Sequence, residues 1–382
     1  MKRLLIIVLI ITMHFVPAGC WSSRLLDERA YVYAIGIDPG EKRGEYNFTF
    51  QLANPGAFTK ESPEKKGFEV IRSSGETMFT AIRGVIPRLG RKLFFPHVQV
   101  IIFHKAVAEE GLAPLLDLFS RDPEFSLRPW VMIADNASAA DVLALEHPGS
   151  KIPALALNHA VKLGQGNHFG ASTIKDFLMR LENIGFVPVA TLVKICEKGG
   201  RKELCLSGTA VFAGDKLAGI LTEKETRGMN FITGRARQGI LQLEKPRVPE
   251  NISLEYNQSK ARIIPVLEDG EIKFTIEITN VASVGETLGP RPLNDPKYWE
   301  LIKKAHREEI GEEAKSAIHK ARVLKKDILG LGDNLSKKYP RIWQQMAEDW
   351  DEIFPGLPIE LQVKTRLVNI GDIIEPATKE RI

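Results

Sequence analysis

Cys20 is the residue best placed to do chemistry in this chain. It closes the tripeptide Ala18-Gly19-Cys20, behind Lys2, Arg3 and an apolar run from Leu4 to Met13. A run of about ten residues matches the apolar stretch of a secretory signal, whereas a membrane span needs about twenty. His14 and Pro17 interrupt the run before it reaches that length. A small-small-Cys ending marks the place where a thiol takes up a diacylglyceryl group and becomes the new N-terminus. Pro17 stands where an aliphatic residue is usual in such a sequence. Residues 1–19 are therefore predicted to be a lipoprotein signal peptide, with Cys20 the lipidation site. Two acyl chains suffice for stable anchoring, at about 0.8 kcal/mol per buried methylene, whereas one chain holds only reversibly.

Beyond Cys20 the side chains that could carry catalysis are scattered. Cys196 and Cys205 lie in "VKICEKGGRKELCLSG", which reads as a hairpin around its glycines. A turn at Gly199-Gly200 sets Cys196 opposite Glu203; a turn at Gly200-Arg201 sets the two cysteines opposite each other. Both turns are chemically reasonable, so a disulfide is left open. Two cysteines without matching histidines do not make a zinc site. His97 and His104 bracket one strand at an odd separation and fall on opposite faces. His147, His159 and His168 sit in or beside loops without ligand spacing. There is no Gly-x-Ser-x-Gly elbow and no His-Glu-x-x-His, and "GQGNHFG" lacks dinucleotide-loop spacing. No catalytic residue, metal site or cofactor is expected. The 52 basic and 48 acidic residues are interleaved, and a net charge of +4 is no argument for a nucleic-acid partner.

The elements around these residues point to a mixed α/β, or α+β, body of three units, each a sheet flanked by helices. About 360 mature residues exceed one comfortable core. The first unit, 20–148, opens with β-rich "YVYAIGID" and "YNFTFQLANP". Next comes a helix capped by Ser73 and Glu76, with a stripe of Met78, Phe79, Ile82, Ile86 and Leu89 that Pro87 ends or bends. "EHPGSKIPA" reads as a linker into 149–246, which begins with the helix "TIKDFLMRLENIG". There "TEKETRGMNFITG" is a short helix capped at Thr222 with Glu225. "KPRVPEN" marks the break into 247–382: two long strands joined by "EDG", a helix from about Pro296 to Leu329, and a final strand. "KETR", "KSAIHKARVLKKD" and the acidic pairs Glu308-Glu309 and Glu312-Glu313 read as solvated helix faces.

Assembled in order, several stretches resemble one family. They are "AGCW" followed by "AIGID", "GETMFTAIR", "RKLFFPHVQVIIF", "GLAPLLDLFSRDPEF", "GTAVFAGDKLAGILTEKETRG", "KKDILGLGDNL", "WDEIFP" and "VNIGDI". The chain is similar to the C subunits of spore germinant receptors, the Ger(x)C lipoproteins. The resemblance implies a non-enzymatic lipoprotein on the outer face of the spore inner membrane. It implies integral-membrane A and B subunits as partners, nutrient triggers, and a response that releases ions and dipicolinic acid. Within "GTAVFAGDKLAGILTEKETRG", Asp215, Lys216, Glu223 and Thr226 are candidate partner-contact residues. Charge reversal at Asp215 or Lys216 is expected to leave folding intact and block function. The alternative is a solute-binding lipoprotein of an ABC importer, which needs two similar lobes around a cleft; an envelope hydrolase needs a nucleophile or metal constellation.

Overall fold

The computed structural model describes residues 28–58, 65–164, 168–289 and 291–368. The predicted signal peptide and Cys20 lie outside the described residues.

The mixed α/β architecture holds, and its strands gather into two sheets. The first contains β1 (Arg29–Pro39), β2 (Tyr46–Ala53), β3 (Phe68–Gly75), β4 (Lys92–Phe94), β5 (Val100–His104), β6 (Trp130–Ala134), β7 (Val189–Lys198), β8 (Arg201–Ala213) and β9 (Lys216–Leu221). Their order is β3-β2-β1-β5-β6-β7-β8-β9, with β4 beside β1. β1, β5, β6 and β7 run parallel, and antiparallel hairpins flank them on both sides. Strands from 20–148 and from 149–246 thus form one continuous sheet.

Helices cover both faces of this sheet, as parallel strands buried on both sides require. One face packs on α1 (Met78–Leu89), α2 (Lys105–Glu110) and α3 (Ala113–Arg121). The other packs on α4 (Ala139–Ala144) and α5 (Pro153–Gly164), while α6 (Ile174–Leu181) returns to the first face. Thr77 and Thr80 form the capping box of α1, displacing the predicted Ser73 and Glu76. Its buried stripe is Met78, Ala81 and Val85, and Phe79 is 48% exposed. The helix continues through Pro87 to Leu89 and ends at Gly90 in the left-handed region. In "AIGID", Asp38 holds the first turn of α4, accepting from Ala139 N at 2.7 Å and Ala140 N at 3.0 Å.

The second sheet has the order β10-β11-β12-β13, from β10 (Gly239–Leu243), β11 (Ile252–Glu268), β12 (Glu271–Thr287) and β13 (Ile359–Leu367). The predicted "EDG" turn joins β11 to β12, with Asp269 and Gly270 at positive φ. The helices α7 (Glu223–Ile232) and the long α8 (Pro296–Leu324) pack on this sheet. Ile310, Ala314, Ala317 and Ala321 are buried along α8 as the stripe predicted. The helix ends at Leu324, five residues before the expected end, with Lys325 behind it in the left-handed region.

The turn after α8 explains "KKDILGLGDNL". Asp327 is fully buried, and its carboxylate accepts from Leu329 N, Gly330 N, Gly332 N and Trp350 Nε1 at 2.8–3.1 Å. It thereby fastens the loop to α9 (Leu331–Lys338) and to the Trp350 indole of "WDEIFP", beyond α10 (Pro340–Met346) and at the start of α11 (Trp350–Ile353). Burial outweighs these donors and pushes the carboxyl up to about 6.

Candidate partner-contact site

The hairpin of β8 and β9 leads directly into α7, and this unit carries "GTAVFAGDKLAGILTEKETRG". Asp215 lies in the Gly214-Asp215 turn between the two strands, and Lys216 opens β9. Glu223 and Thr226 lie on the first turns of α7, beyond the six residues of β9. At about 3.3 Å per strand residue, β9 holds the two pairs about 20 Å apart. The four candidates therefore form two separate places.

Each has a distinct setting. Asp215 reaches across to α3, whose own N-cap Leu112 supplies no side-chain hydrogen bond. Its Oδ2 accepts from Ala113 N at 3.0 Å and its carbonyl from Leu112 N at 3.0 Å. It is thus a helix cap supplied from a distant turn. Lys216 is exposed, with no ion pair among the described residues. Glu223 is exposed, with Oε2 3.4 Å from His168 Nδ1; burial of His168 holds that imidazole below its ordinary pKa. Thr226 is fully buried, its hydroxyl 2.9 Å from Thr209 Oγ1, so it supports the fold and offers nothing to a partner.

These settings split the charge-reversal expectation. Lys216→Glu should leave the unfolding midpoint unchanged and weaken germination if the turn meets a partner. Asp215→Lys should also lower stability by about 1 kcal/mol, the worth of a helix cap. Denaturant unfolding beside a germination assay separates the two. A normal germination response in Lys216→Glu removes the turn from the contact surface.

The faces read as solvated are so at Lys224, Glu308, Glu312 and Lys315, whereas Glu309 and Glu313 are buried where α7 meets α8. Thr222 and Glu225 form the predicted capping box and start α7. Gly228 then lies so close to α8 that an added Cβ would collide with the Glu313 carbonyl. Arg227, beside it, grips the fully buried Glu313 carboxylate with Nε at 2.7 Å from Oε2 and Nη2 on Oε1. Arg247 pairs with Glu309 and Glu312 one turn along. His168, Arg227, Gln242, Arg247 and Glu309 line a polar groove of about 510 Å³ there. Each of these two arginines is neutralised within the fold.

The cysteine hairpin turns at Gly199-Gly200, with Lys198 paired to Arg201, and Cys196 sits opposite Glu203. Even so, Cys196 and Cys205 are joined as a disulfide, with Cα atoms 6.0 Å apart. Cys205 pairs with Lys194, so the cysteines are diagonal neighbours on one face of the ladder. A disulfide needs no directly opposed pair, since diagonal neighbours on one face of an antiparallel ladder come within its reach.

Among the described residues no helix is long and apolar enough to cross a membrane. His104 Nδ1 accepts from Ala106 N at the start of α2, and His97 stacks on Tyr33.

By class this is a two-sheet α/β protein in which the Arg227–Glu313 pair joins α7 to α8. Two family models cover nearly all of it: "Spore germination protein N-terminal domain" matches residues 22–195, and "Spore germination B3/GerAC like, C-terminal" matches residues 207–371. The chain belongs to this family of spore germination proteins, the Ger(x)C family. Spore germination protein KC of Bacillus subtilis is 25% identical over 97% of this chain and 96% of its own. Spore germination protein B3 of the same organism is 22% identical over 93% and 95%. A structure titled "Crystal Structure of the GerBC protein" superposes with a TM-score of 0.58 at 20% identity, covering 88% of this chain and 98% of that one. That likeness establishes the shared fold.

Proposed function

We propose that this chain is the non-enzymatic, lipid-anchored C subunit of a nutrient germinant receptor. It works on the outer face of the spore inner membrane with integral-membrane A and B subunits. One observation carries the reading: both halves match spore germination models, and relatives with germination names align over nearly the whole chain. The lipobox-like Ala18-Gly19-Cys20 supplies the anchor. Tethering raises the effective concentration of the body near partners in the same membrane. The importer reading would need two similar lobes. The first sheet is nine-stranded with a parallel centre, the second is four-stranded with two long antiparallel strands, and neither copies the other.

The test uses spores of the native host lacking this chain, complemented with wild type or Cys20→Ala. Dipicolinic acid release after nutrient addition is the readout. The deletion is expected to be silent to one nutrient class, with wild type restoring the response and Cys20→Ala failing to do so. A deletion strain that answers every nutrient normally, with no second receptor of the family present, overturns the reading. Full rescue by Cys20→Ala overturns the anchor.

A further inference from the structure

One corner of the first sheet carries a cluster of rings largely outside its apolar cores. β1 opens with Arg29, Tyr31 and Tyr33, and β4 runs parallel beside it with Phe94 opposite Tyr31. The Tyr31 and Phe94 rings meet edge to face at 5.5 Å. His97, exposed in the loop after β4, lies 5.6 Å from Tyr31 and 5.8 Å from Phe94, and stacks on Tyr33 at 5.9 Å. The Arg29 guanidinium sits 4.7 Å over the Phe94 ring and has no ion pair among the described residues. Arg91 and Lys92 beside it are matched by Glu69 and Glu124. Tyr31, Tyr33 and Phe94 are half-buried, and neither tyrosine hydroxyl has a hydrogen-bond partner among the described residues. Tyr33 borders one apolar core; Tyr31 and Phe94 border none. The stretches "YVYAIGID" and "RKLFFPH", far apart in sequence, thus meet in one place.

The place is set by the tether. Arg29 stands nine residues after Cys20. Nine residues reach at most about 30 Å when fully extended. With acyl chains on Cys20, this corner is held within that distance of the bilayer whatever path the intervening chain takes. The Gly199-Gly200 turn lies at the opposite end of the sheet, because β7 runs parallel to β1 through β5 and β6 and the turn follows its carboxyl end. The chemistry suits the place. A tyrosine with its ring against protein and its hydroxyl free fits the headgroup level, where one end of the side chain is apolar and the other wet. An arginine without a carboxylate is drawn to anionic headgroups. The tether presents this corner to lipid at all times, whereas a protein partner meets it only on assembly.

We propose that the corner formed by Arg29, Tyr31, Tyr33, Phe94 and His97 docks on the lipid–water interface of the membrane that holds the anchor, with its rings at headgroup depth and Arg29 on an anionic headgroup. Docking there fixes the tilt of the body. The amino ends of the parallel strands stand on the membrane, and the Cys196–Cys205 hairpin is turned away from it. The position of the corner rests on the lipid-anchored reading, so the test is run without acyl chains, and a failure of docking is told apart from a failure of the anchor.

The test is sedimentation of the mature chain, from residue 20 and carrying Cys20→Ala, with vesicles of phosphatidylglycerol and phosphatidylcholine. The chain is expected to partition onto them. Phe94→Ser should weaken partition at least about fivefold, the worth of about 40 Å² of apolar surface returned to water. Arg29→Gln should weaken it about fivefold on these vesicles and leave it unchanged on pure phosphatidylcholine. Lys202→Gln, exposed near the far turn, should change nothing. Circular dichroism checks that each variant stays folded, and Arg29→Gln decides the matter if Phe94→Ser does not fold. Absence of partition overturns the proposal, as does partition that Arg29→Gln leaves unchanged. An equal loss in Lys202→Gln reveals general charge attraction and overturns the placement. Binding only to vesicles that also carry the integral-membrane A and B subunits overturns it in favour of a protein surface. Partition as expected, together with full rescue of spores by Cys20→Ala, removes the anchor and leaves the docking corner standing.

Discussion

Gly228→Ala is expected to destabilise the protein by about 3 kcal/mol, the upper end of the usual cost of overpacking. In an isolated helix the same change stabilises by up to about 1 kcal/mol, because alanine restricts the unfolded chain more than glycine does. Here the added methyl would meet the carbonyl of Glu313 on α8, a backbone atom that no rotamer change can move aside. The helices must part, and the bidentate grip of Arg227 on buried Glu313 lengthens with them. A charge buried without its partner costs about 3–5 kcal/mol, so loss of that pair would add to the strain. Guanidinium unfolding of the purified chain measures the sum. A midpoint at or above wild type would mean that α7 and α8 are not in close contact.

The second large effect concerns Asp327. Asp327→Asn replaces an acceptor for four donors with a group that can accept on one side only. Whichever way the amide turns, two buried N–H groups lose their partner, which costs about 2–4 kcal/mol at neutral pH. The pH dependence carries a sign. The Asp327 carboxyl sits at about 6 in the fold, against an ordinary 3.8. Its linked contribution to stability is full below the unfolded value and is lost as pH rises through about 6. One pKa unit corresponds to about 1.4 kcal/mol, so the contribution is about 3 kcal/mol. The stability gap between wild type and Asp327→Asn should therefore widen by about 2 kcal/mol from pH 7 to pH 4. A gap that narrows instead would show that the four donors keep the carboxylate ionised.

A second buried group runs the other way. His306 on α8 lies fully buried, with Nε2 2.9 Å from Asn280 Oδ1, and burial holds it down to about 4 from an ordinary 6.5. Its contribution is present above 6.5 and is lost as pH falls through about 4. In the wild type the two groups offset each other across pH 4–6. Asp327→Asn removes one of them and leaves the acid lability of His306 exposed.

The sequence was legible where the signal is local. The hairpin glycines, the Thr222 and Glu225 cap, the two long strands and the apolar stripe of α8 all depend on neighbours within a few residues. It was opaque where the deciding neighbour is distant. Glu313 looks like one of several helix-surface acids, and only the approach of α7, 86 residues away in sequence, buries it. Only Pro153 and Ala154 of α5 fall in the predicted "EHPGSKIPA" linker and the rest of the helix was not predicted, because Pro148, Gly149 and Pro153 crowd its start; Pro153 is its first residue, where proline is tolerated.

β7 and β8 also bear on how this family has been able to change. The first family model ends at residue 195 and the second begins at 207. That border falls inside a single hairpin, between strands paired along their length and joined by Cys196 and Cys205. Halves exchanged between relatives by recombination at that border would each arrive with one strand of the β7–β8 pair. Descent with both halves together is the inheritance this geometry favours, and the conspicuous sequence signatures on either side are the marks of one module.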